Sequence, residues 1–396
     1  MEGHLANLTC LREIRASRNN LTLKVSPIWH PTFQLQHLEM SSWKLGLNFP
    51  SWIYSQNQLD YLVMSNTEIL DSIPSWFWEN FSGVHFVDLS HNYIYGDLGT
   101  IVMNPISVAF VDLSVNNLCG KLPSLSHGVI SLDLSSNSFS NSMDDFLCQN
   151  QDKQMQLEFL NLTSNNLSGE IPNCWTNWSS LVSIILQSNN LVGNLPPSIG
   201  SLAQLESLQI RNNSLSGTFP TSLMKNDQLI VLDLRENKLS GIIPKWIGEK
   251  FLNMEIFCLS SNNFSGHIPN EICDMSVLHI LDLAQNNFSG NIPTCFSNFS
   301  DMTLGIDNQF SGSALHIGGS LLIDVTIGGS FLVDITVRIL LWLKGKRDEY
   351  ANILGLVTSI DLSNNQLVGE IPAEVTSLNG LKCLNLSHNQ LSGYIP

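Results

Sequence analysis

Six aspartates stand in one recurring phrase: Asp88 and Asp112 in VDLS, Asp133 in LDLS, Asp233 in LDLR, Asp282 in LDLA and Asp361 in IDLS. A row of carboxylates has the residue type for metal binding or acid–base work. The phrase is repeat consensus, however, and strand alternation turns each Asp toward solvent at a strand edge. The ten histidines are scattered, and no H-E-x-x-H pair occurs. No G-x-S-x-G elbow, phosphate loop, kinase phrase or C-x-x-C pair is present. The residues point to a chain with no catalytic group, no metal site and no cofactor.

The elements that carry the aspartates belong to an internal repeat. From Leu181 the chain reads LVSIILQSNNLVGNLP, from Leu229 LIVLDLRENKLSGIIP and from Leu278 LHILDLAQNNFSGNIP. The shared frame is L-x-x-L-x-L-x-x-N-x-L-x-G-x-I-P. Fourteen units fit it, with ninth positions Asn19, Trp43, Thr67, Asn92, Asn116, Asn137, Asn165, Asn189, Asn213, Asn237, Asn262, Asn286, Asn365 and Asn389. Most steps are 24 residues, and one is 79. The L-x-L core has period two, so it forms a short strand with its leucines on one side. One such strand cannot bury its apolar face alone, so coils stack and share a core. The Asn side chain carries donors and an acceptor that can satisfy backbone groups at each turn. The Gly permits positive φ there, and the Pro starts an extended segment.

Two pairs among the eight cysteines share one set of offsets. Cys148 follows Asn137 by 11 residues and Cys174 follows Asn165 by 9; Cys273 follows Asn262 by 11 and Cys295 follows Asn286 by 9. On adjacent coils these offsets bring each pair to one level. Disulfides are the expectation, against four small buried residues as the alternative. Cys258 and Cys383 fall between core leucines, on the strands, and are expected to be unpaired. N-x-[ST] sequons occur at Asn7, Asn20, Asn80, Asn161, Asn166, Asn177, Asn212, Asn263, Asn287, Asn298 and Asn385, which makes them glycosylation candidates; several lie in the repeat phrase itself.

Composition agrees with one repeated unit. Leu, Ser and Asn number 60, 50 and 41 of 396 residues, and only 13% are charged. The net charge of −16 excludes a phosphate-binding basic face, so no nucleic-acid partner is expected. No signal peptide is visible in Met1 to Arg15. The most apolar window, Ser320 to Leu343, holds Asp324, Asp334 and Arg338, so no transmembrane helix is expected.

The phrases LSGEIP from Leu167, LSGIIP from Leu239, FSGHIP from Phe264, FSGNIP from Phe288, LVGEIP from Leu367 and LSGYIP from Leu391 carry the plant-type signature L-x-G-x-I-P. In these the chain resembles plant leucine-rich-repeat receptor-like proteins and the ectodomains of the related receptor kinases. The resemblance implies an α/β-type leucine-rich-repeat solenoid, a right-handed curved superhelix with a concave parallel β-sheet. Residues 1–301 are expected to form about twelve coils, 302–354 an island insertion and 355–396 two further coils. The insertion holds a tandem duplication, IGGSLLIDVT from Ile317 and IGGSFLVDIT from Ile327, which suggests short strands joined by turns. Receptor-like proteins that sense microbial xylanase are similar here. Lys344, Gly345 and Tyr350 match their island, and Ile335 stands where some peptide-sensing members place a tyrosine.

The resemblance implies a non-catalytic ligand-recognition ectodomain at the extracellular face of the plasma membrane. Its ligand would be a protein, peptide or glycan, and defence or developmental signals would pass through partner receptor kinases. A secreted inhibitor of a cell-wall-degrading enzyme, a non-functional truncated receptor fragment and an intracellular scaffold remain as alternatives. The chain begins and ends within the repeat pattern, so a fragment is expected, with any membrane contact made through a segment outside it. Within the repeats, the eighth to tenth units depart from the D-L-S phrase. Their outward residues Ile185, Gln187, Gln209, Arg211, Asp233, Arg235 and Glu236 are the expected ligand contacts, with Leu186, Ile210 and Leu234 turned inward. Arg211 and Arg235 are expected to form a basic spot for an acidic group on the ligand.

Overall fold

The computed structural model describes residues 7–26, 28–81, 83–101, 109–148, 154–304, 320–326, 330–336, 339–343, 346–350 and 358–396. They fall into two compact units, residues 1–205 with 212–214, and residues 206–211 with 215–396.

In the first unit, eight short strands stack in parallel: Glu13–Arg15, His37–Glu39, Tyr61–Val63, Phe86–Asp88, Ala109–Asp112, Val129–Asp133, Phe159–Asn161 and Ser183–Ile185. In the second, six do so: Ser207–Gln209, Val231–Asp233, Ile256–Cys258, Ile280–Asp282, Ser359–Asp361 and Cys383–Asn385. The inward residues of each strand and of the turn after it fill the core; Leu38, Leu62, Leu132, Leu208, Leu232 and Leu281 are 0% exposed. Behind the strands of the second unit, Phe257, Phe264 and Phe288 are equally buried. After the G-x-I-P phrases from Leu167, Leu239, Phe264, Phe288 and Leu367 the chain turns through a short 3-10 or α-helical stretch such as Thr294–Asn298.

The asparagine ladder joins each coil to its neighbour. Asn262 Nδ2 donates to the carbonyls of Leu234, Leu259 and Ser260 at 2.9, 3.0 and 3.3 Å, and its Oδ1 accepts the Leu239 N–H at 2.9 Å. One side chain therefore satisfies four backbone groups of two coils. The two exceptions keep the pattern. Trp43 sends its indole N–H to the Ala16 carbonyl at 2.8 Å, and Thr67 donates its hydroxyl to Met64 at 2.9 Å. In all fourteen coils the residue just before the ladder position has φ between 51° and 66°, whether it is Ser, Asn, Arg, His, Glu, Gln or the β-branched Val115. That left-handed residue turns the ladder side chain into the core, at a steric cost that the ladder bonds offset. Glycine is required later in the turn. A Cβ on Gly290, where φ is +78°, would lie 2.0 Å from His267 Nδ1.

The ladder passes over the 79-residue step without a change of register. Asn365 Nδ2 reaches Leu283 O and its Oδ1 accepts Phe288 N–H, both at 3.0 Å, while Ile280 pairs with Ser359. Within the intervening segment, Ser320–Thr326 pairs antiparallel with Ser330–Thr336, and Ile339–Leu343 with Lys346–Tyr350. The first pairing joins the two halves of the tandem duplication. Lys344 and Gly345 lie outside the described residues, and Tyr350 ends the last of these strands.

Cys148 and Cys174 form a disulfide with Cα atoms 5.3 Å apart, and Cys273 and Cys295 form another at 5.9 Å. Each ties the back of one coil to the next. Cys258, buried, and Cys383, half-buried, lie on their strands outside any disulfide. Among the described residues no helix is long and apolar enough to cross a membrane.

Candidate recognition face

Each coil turns three residues outward from the sheet: the first and third of the core strand, and the one two positions on. In-register pairing sets them in three rows across the strands. The second row carries the six aspartates, and their roles differ from the solvent-facing expectation. Asp88, Asp112, Asp133, Asp282 and Asp361 are half-buried and Asp233 is 1% exposed. Each turns Oδ1 back to the N–H two residues on, at 2.8 to 3.3 Å: Ser90, Ser114, Ser135, Arg235, Ala284 and Ser363. The aspartate closes the strand end, which gives the repeated phrase a structural reason.

In the first unit, the first row is aromatic over four successive coils. His37, Tyr61, Phe86 and Phe110 are in register. The His37 and Tyr61 rings stack 4.2 Å apart at 5°, Tyr61 and Phe86 4.5 Å apart at 8°, and Phe86 and Phe110 6.3 Å apart at 28°. Beside this ridge run Glu39, Val63, Asp88, Asp112 and Asp133. Glu39 accepts from His37 at 2.5 Å, and Asp133 accepts from Asn161 at 2.8 Å. Among the described residues no Lys, Arg or His pairs with Asp88 or Asp112. Burial, then Glu39 and Asp88, push the Tyr61 phenol up to about 12. Burial, then the charges of Asp133 and Asp88, push Asp112 up to about 7. The aromatic row was legible as an aromatic residue two places before the Glu, Val or Asp of four consecutive core phrases. Reading along the chain misses it, because its members are 24 or 25 residues apart.

The raised Asp112 has a consequence for stability. Its folded-state pKa lies above its ordinary 3.8, so the folded chain holds the proton more tightly than the unfolded one. The stabilising difference is present below about pH 4 and is lost as pH rises through about 7. Asp112→Asn keeps the acceptor for Ser114 and removes the ionisation. It is expected to match the parent near pH 4 and to exceed it by about 2 kcal/mol at pH 8, after discounting for partial exposure. Thermal melts across that range check it, and a parent–variant difference that does not change with pH would contradict it.

Ile185 and Gln187 also lie on the first unit, where Ile185 is 8% exposed and Gln187 half-buried. In the second unit, the expected contacts Gln209, Asp233 and Arg235 are 0, 1 and 5% exposed. They point away from the core, as alternation requires, and their neighbours in the row bury them. Strands about 4.8 Å apart press outward side chains of one row against each other, and long neighbours cover short ones. The expected basic spot is absent for the same reason. Arg235 folds onto Asp233, with Nε to Oδ1 at 2.8 Å and Nη2 to Oδ2 at 2.7 Å, and its Nη1 lies 3.5 Å from Asp282. Arg211 Nη2 reaches Glu236 at 3.2 Å. Burial opposes the charge on Arg235, and the charge and hydrogen bonds of Asp233 together with Asp282 and neighbouring groups outweigh it, holding the guanidinium protonated.

The sequons at Asn7, Asn20, Asn166, Asn212, Asn263, Asn287 and Asn298 are exposed, and those at Asn80, Asn161, Asn177 and Asn385 are half-buried. Asn161 and Asn385 lie in the second outward row, donating to Asp133 and Asp361 at 2.8 and 3.0 Å.

Comparison with known proteins bears on the repeat throughout. Family models described as leucine rich repeat match residues 203–249, and again 156–178, 180–202, 253–275, 277–299, 356–378 and 380–396. The chain is 39% identical to Receptor-like protein EIX2 of Solanum lycopersicum over 384 residues, 97% of this chain and 36% of that protein. It is also 39% identical to Receptor-like protein EIX1 of the same plant, over 96% of this chain and 36% of the relative. The chain thus spans 36% of the length of these relatives. Among solved structures, a TDR receptor aligns with TM-score 0.72 at 22% identity, over 98% of this chain and 57% of the other. The Arabidopsis receptor kinase HAESA, in complex with the peptide hormone IDA and the co-receptor SERK1, aligns with TM-score 0.69 at 24% identity, over 99% of this chain and 60% of HAESA. These two show the fold, a leucine-rich-repeat solenoid.

Proposed function

We propose that this chain, which belongs to the plant leucine-rich-repeat receptor-like proteins, is a ligand-recognition segment of a cell-surface receptor. The observation that carries the reading is the identity of 39% to a receptor-like protein over 97% of the chain. The ligand and signalling role of the whole receptor belong to the proposal, as do residues 302–354 as an island between coils.

The division of labour within a coil supports the reading. Inward leucines, ladder asparagines and strand-end aspartates are repeated from coil to coil. Apart from those aspartates the outward rows are not: they carry aromatic, hydroxyl, aliphatic and guanidinium groups in patches. A surface whose frame is constant and whose outward residues change suits selective binding rather than catalysis. Two disulfides and seven exposed sequons suit an oxidising, extracellular compartment. HAESA is bound to a peptide hormone and a co-receptor in its structure, and we extend that arrangement here: a protein or peptide on the strand face, with the signal passed to a partner receptor kinase.

A chimera tests the reading. The 396-residue segment replaces its counterpart in a full-length tomato receptor-like protein expressed in leaf tissue. The expected result is a surface-displayed receptor that has lost the host receptor's response to its own ligand. A chimera that keeps the host's specificity would show that this segment does not recognise the ligand.

A further inference from the structure

We propose that the ridge of His37, Tyr61, Phe86 and Phe110, with the carboxylates of Glu39, Asp88 and Asp112 beside it, docks an extended cationic peptide segment that alternates apolar or aromatic side chains with Lys or Arg. The inference rests on the recognition reading and names the ligand chemistry for it.

Two adjacent rows define the surface. The ridge crosses four strands at about 4.8 Å each, so it runs for about 14 Å. The carboxylate row lies two residues along the strands, about 6.6 Å away. An extended chain laid across the strands between the rows sends successive side chains to opposite sides. Five residues at about 3.3 Å each cover the ridge. One side then meets the half-buried rings of Tyr61 and Phe86, flanked by His37 and Phe110 at 8 and 6% exposure, and the other meets carboxylates.

Ring geometry selects against sugars. Rings 4.2 and 4.5 Å apart and within 8° of parallel have their inner faces covered by each other. A pyranose or an ammonium group needs an open face, whereas a ring edge accepts an aliphatic or aromatic side chain. The cation must therefore go to the second row. There Asp88 and Asp112 face each other on paired strands, with no Lys, Arg or His partner among the described residues. Asp88 Oδ1 accepts the Ser90 N–H and hydroxyl at 2.9 and 2.6 Å, and Asp112 Oδ1 accepts the Ser114 N–H at 2.9 Å. The raised pKa of Asp112 reflects partial burial and the repulsion of Asp133 and Asp88, and an incoming Lys or Arg relieves the repulsion. The chain's net charge of −16 draws the same ligand from a distance.

The test uses the full chain and three fluorescein-labelled hexapeptides, alternating Phe–Lys, Phe–Glu and Gly–Lys, read by fluorescence polarisation. The Phe–Lys peptide is expected to bind saturably, at least tenfold more tightly than either control, and to weaken as NaCl rises. Asp88→Asn with Asp112→Asn is expected to weaken it at least tenfold. Val63→Lys sets an internal cation between Glu39 and Asp88 and is expected to do the same. Thermal melts confirm that both variants fold, and the asparagine pair relieves repulsion rather than removing a contact. Equal affinity in the folded variants, or a Phe–Glu or Gly–Lys peptide that matches Phe–Lys, overturns the surface. So does preferential binding of a xylan or chitin oligosaccharide at the same residues. None of these outcomes touches the recognition reading, which stands or falls with the chimera.

Discussion

Arg235→Ala is expected to destabilise the second unit by about 3–5 kcal/mol, a fall in melting temperature on the order of 10 °C. The guanidinium is 6% exposed and the Asp233 carboxylate 1%. Their bonds at 2.8 and 2.7 Å form a two-pronged pair on one strand end, and Asp282 adds a second anion at 3.5 Å from Nη1. Asp282 in turn accepts the Ser260 hydroxyl at 2.7 Å, and burial pushes it up to about 6. Alanine at 235 leaves the Asp233 carboxylate buried without its cation. The loss is dominated by that stranded charge rather than by the contact itself. Two further variants separate the contributions. Asp233→Asn in the Arg235→Ala background is expected to recover more than half of the loss, since the remaining carboxyl is neutralised. Lower pH is expected to recover part of the loss in Arg235→Ala, because protonation does the same. If Arg235→Ala melts within 2 °C of the parent, the cluster is not holding the unit together. The same variant is a poor probe of ligand binding, since its first effect is on the fold.

The coils were legible because each of their determinants is local. Period-two leucines name the strand and its inward face, the asparagine names the turn, and the frame survives where Trp43 and Thr67 replace the asparagine. The left-handed residue before each ladder position was not legible. Ser or Asn holds it in eight coils, but Arg18, His91, Val115, Glu236, Gln285 and His388 hold it in the other six, so its conformation comes from the ladder bonds rather than from its own side chain. Outward direction was legible as well, but exposure was not. Gln209 points away from the core and is still 0% exposed, with its amide on Ser207 Oγ at 3.1 Å. Exposure depends on what stands next to a residue one coil away, and that neighbour lies 24 or 25 positions off in the chain. The same distance hid the stacking of His37, Tyr61 and Phe86, and it made two paired arginines look like a basic spot. The cysteine pairs were legible because their offsets from the ladder already compared adjacent coils.

Above neutral pH Asn262→Asp is expected to damage the fold more than Asn262→Ala, although it is the closer replacement in shape. Asn262 is 8% exposed and makes four bonds, three as donor and one as acceptor. Alanine removes all four. It leaves the Leu239 N–H and the carbonyls of Leu234 and Leu259 to find other partners, at a cost of about 2–4 kcal/mol. Aspartate keeps the acceptor for Leu239 N–H but turns its other oxygen toward carbonyls 2.9, 3.0 and 3.3 Å away. A buried anion facing three carbonyl oxygens adds repulsion and desolvation to the lost bonds, so its cost exceeds that of alanine. The pH dependence separates the two. The introduced carboxyl titrates higher in the folded chain than in the unfolded one, so its folded state binds the proton more tightly. Stability of Asn262→Asp is then greatest below the unfolded value near pH 4 and falls as pH rises through the folded one. Asn262→Ala has no such group, and its deficit relative to the parent stays constant with pH. Melting curves of the three proteins between pH 4 and pH 8 therefore cross: the aspartate variant lies closer to the parent than alanine at the acid end, where its protonated carboxyl still donates one bond, and further from it at the basic end. Parallel curves would mean that the ladder side chain fills space without supplying the donors that join one coil to the next.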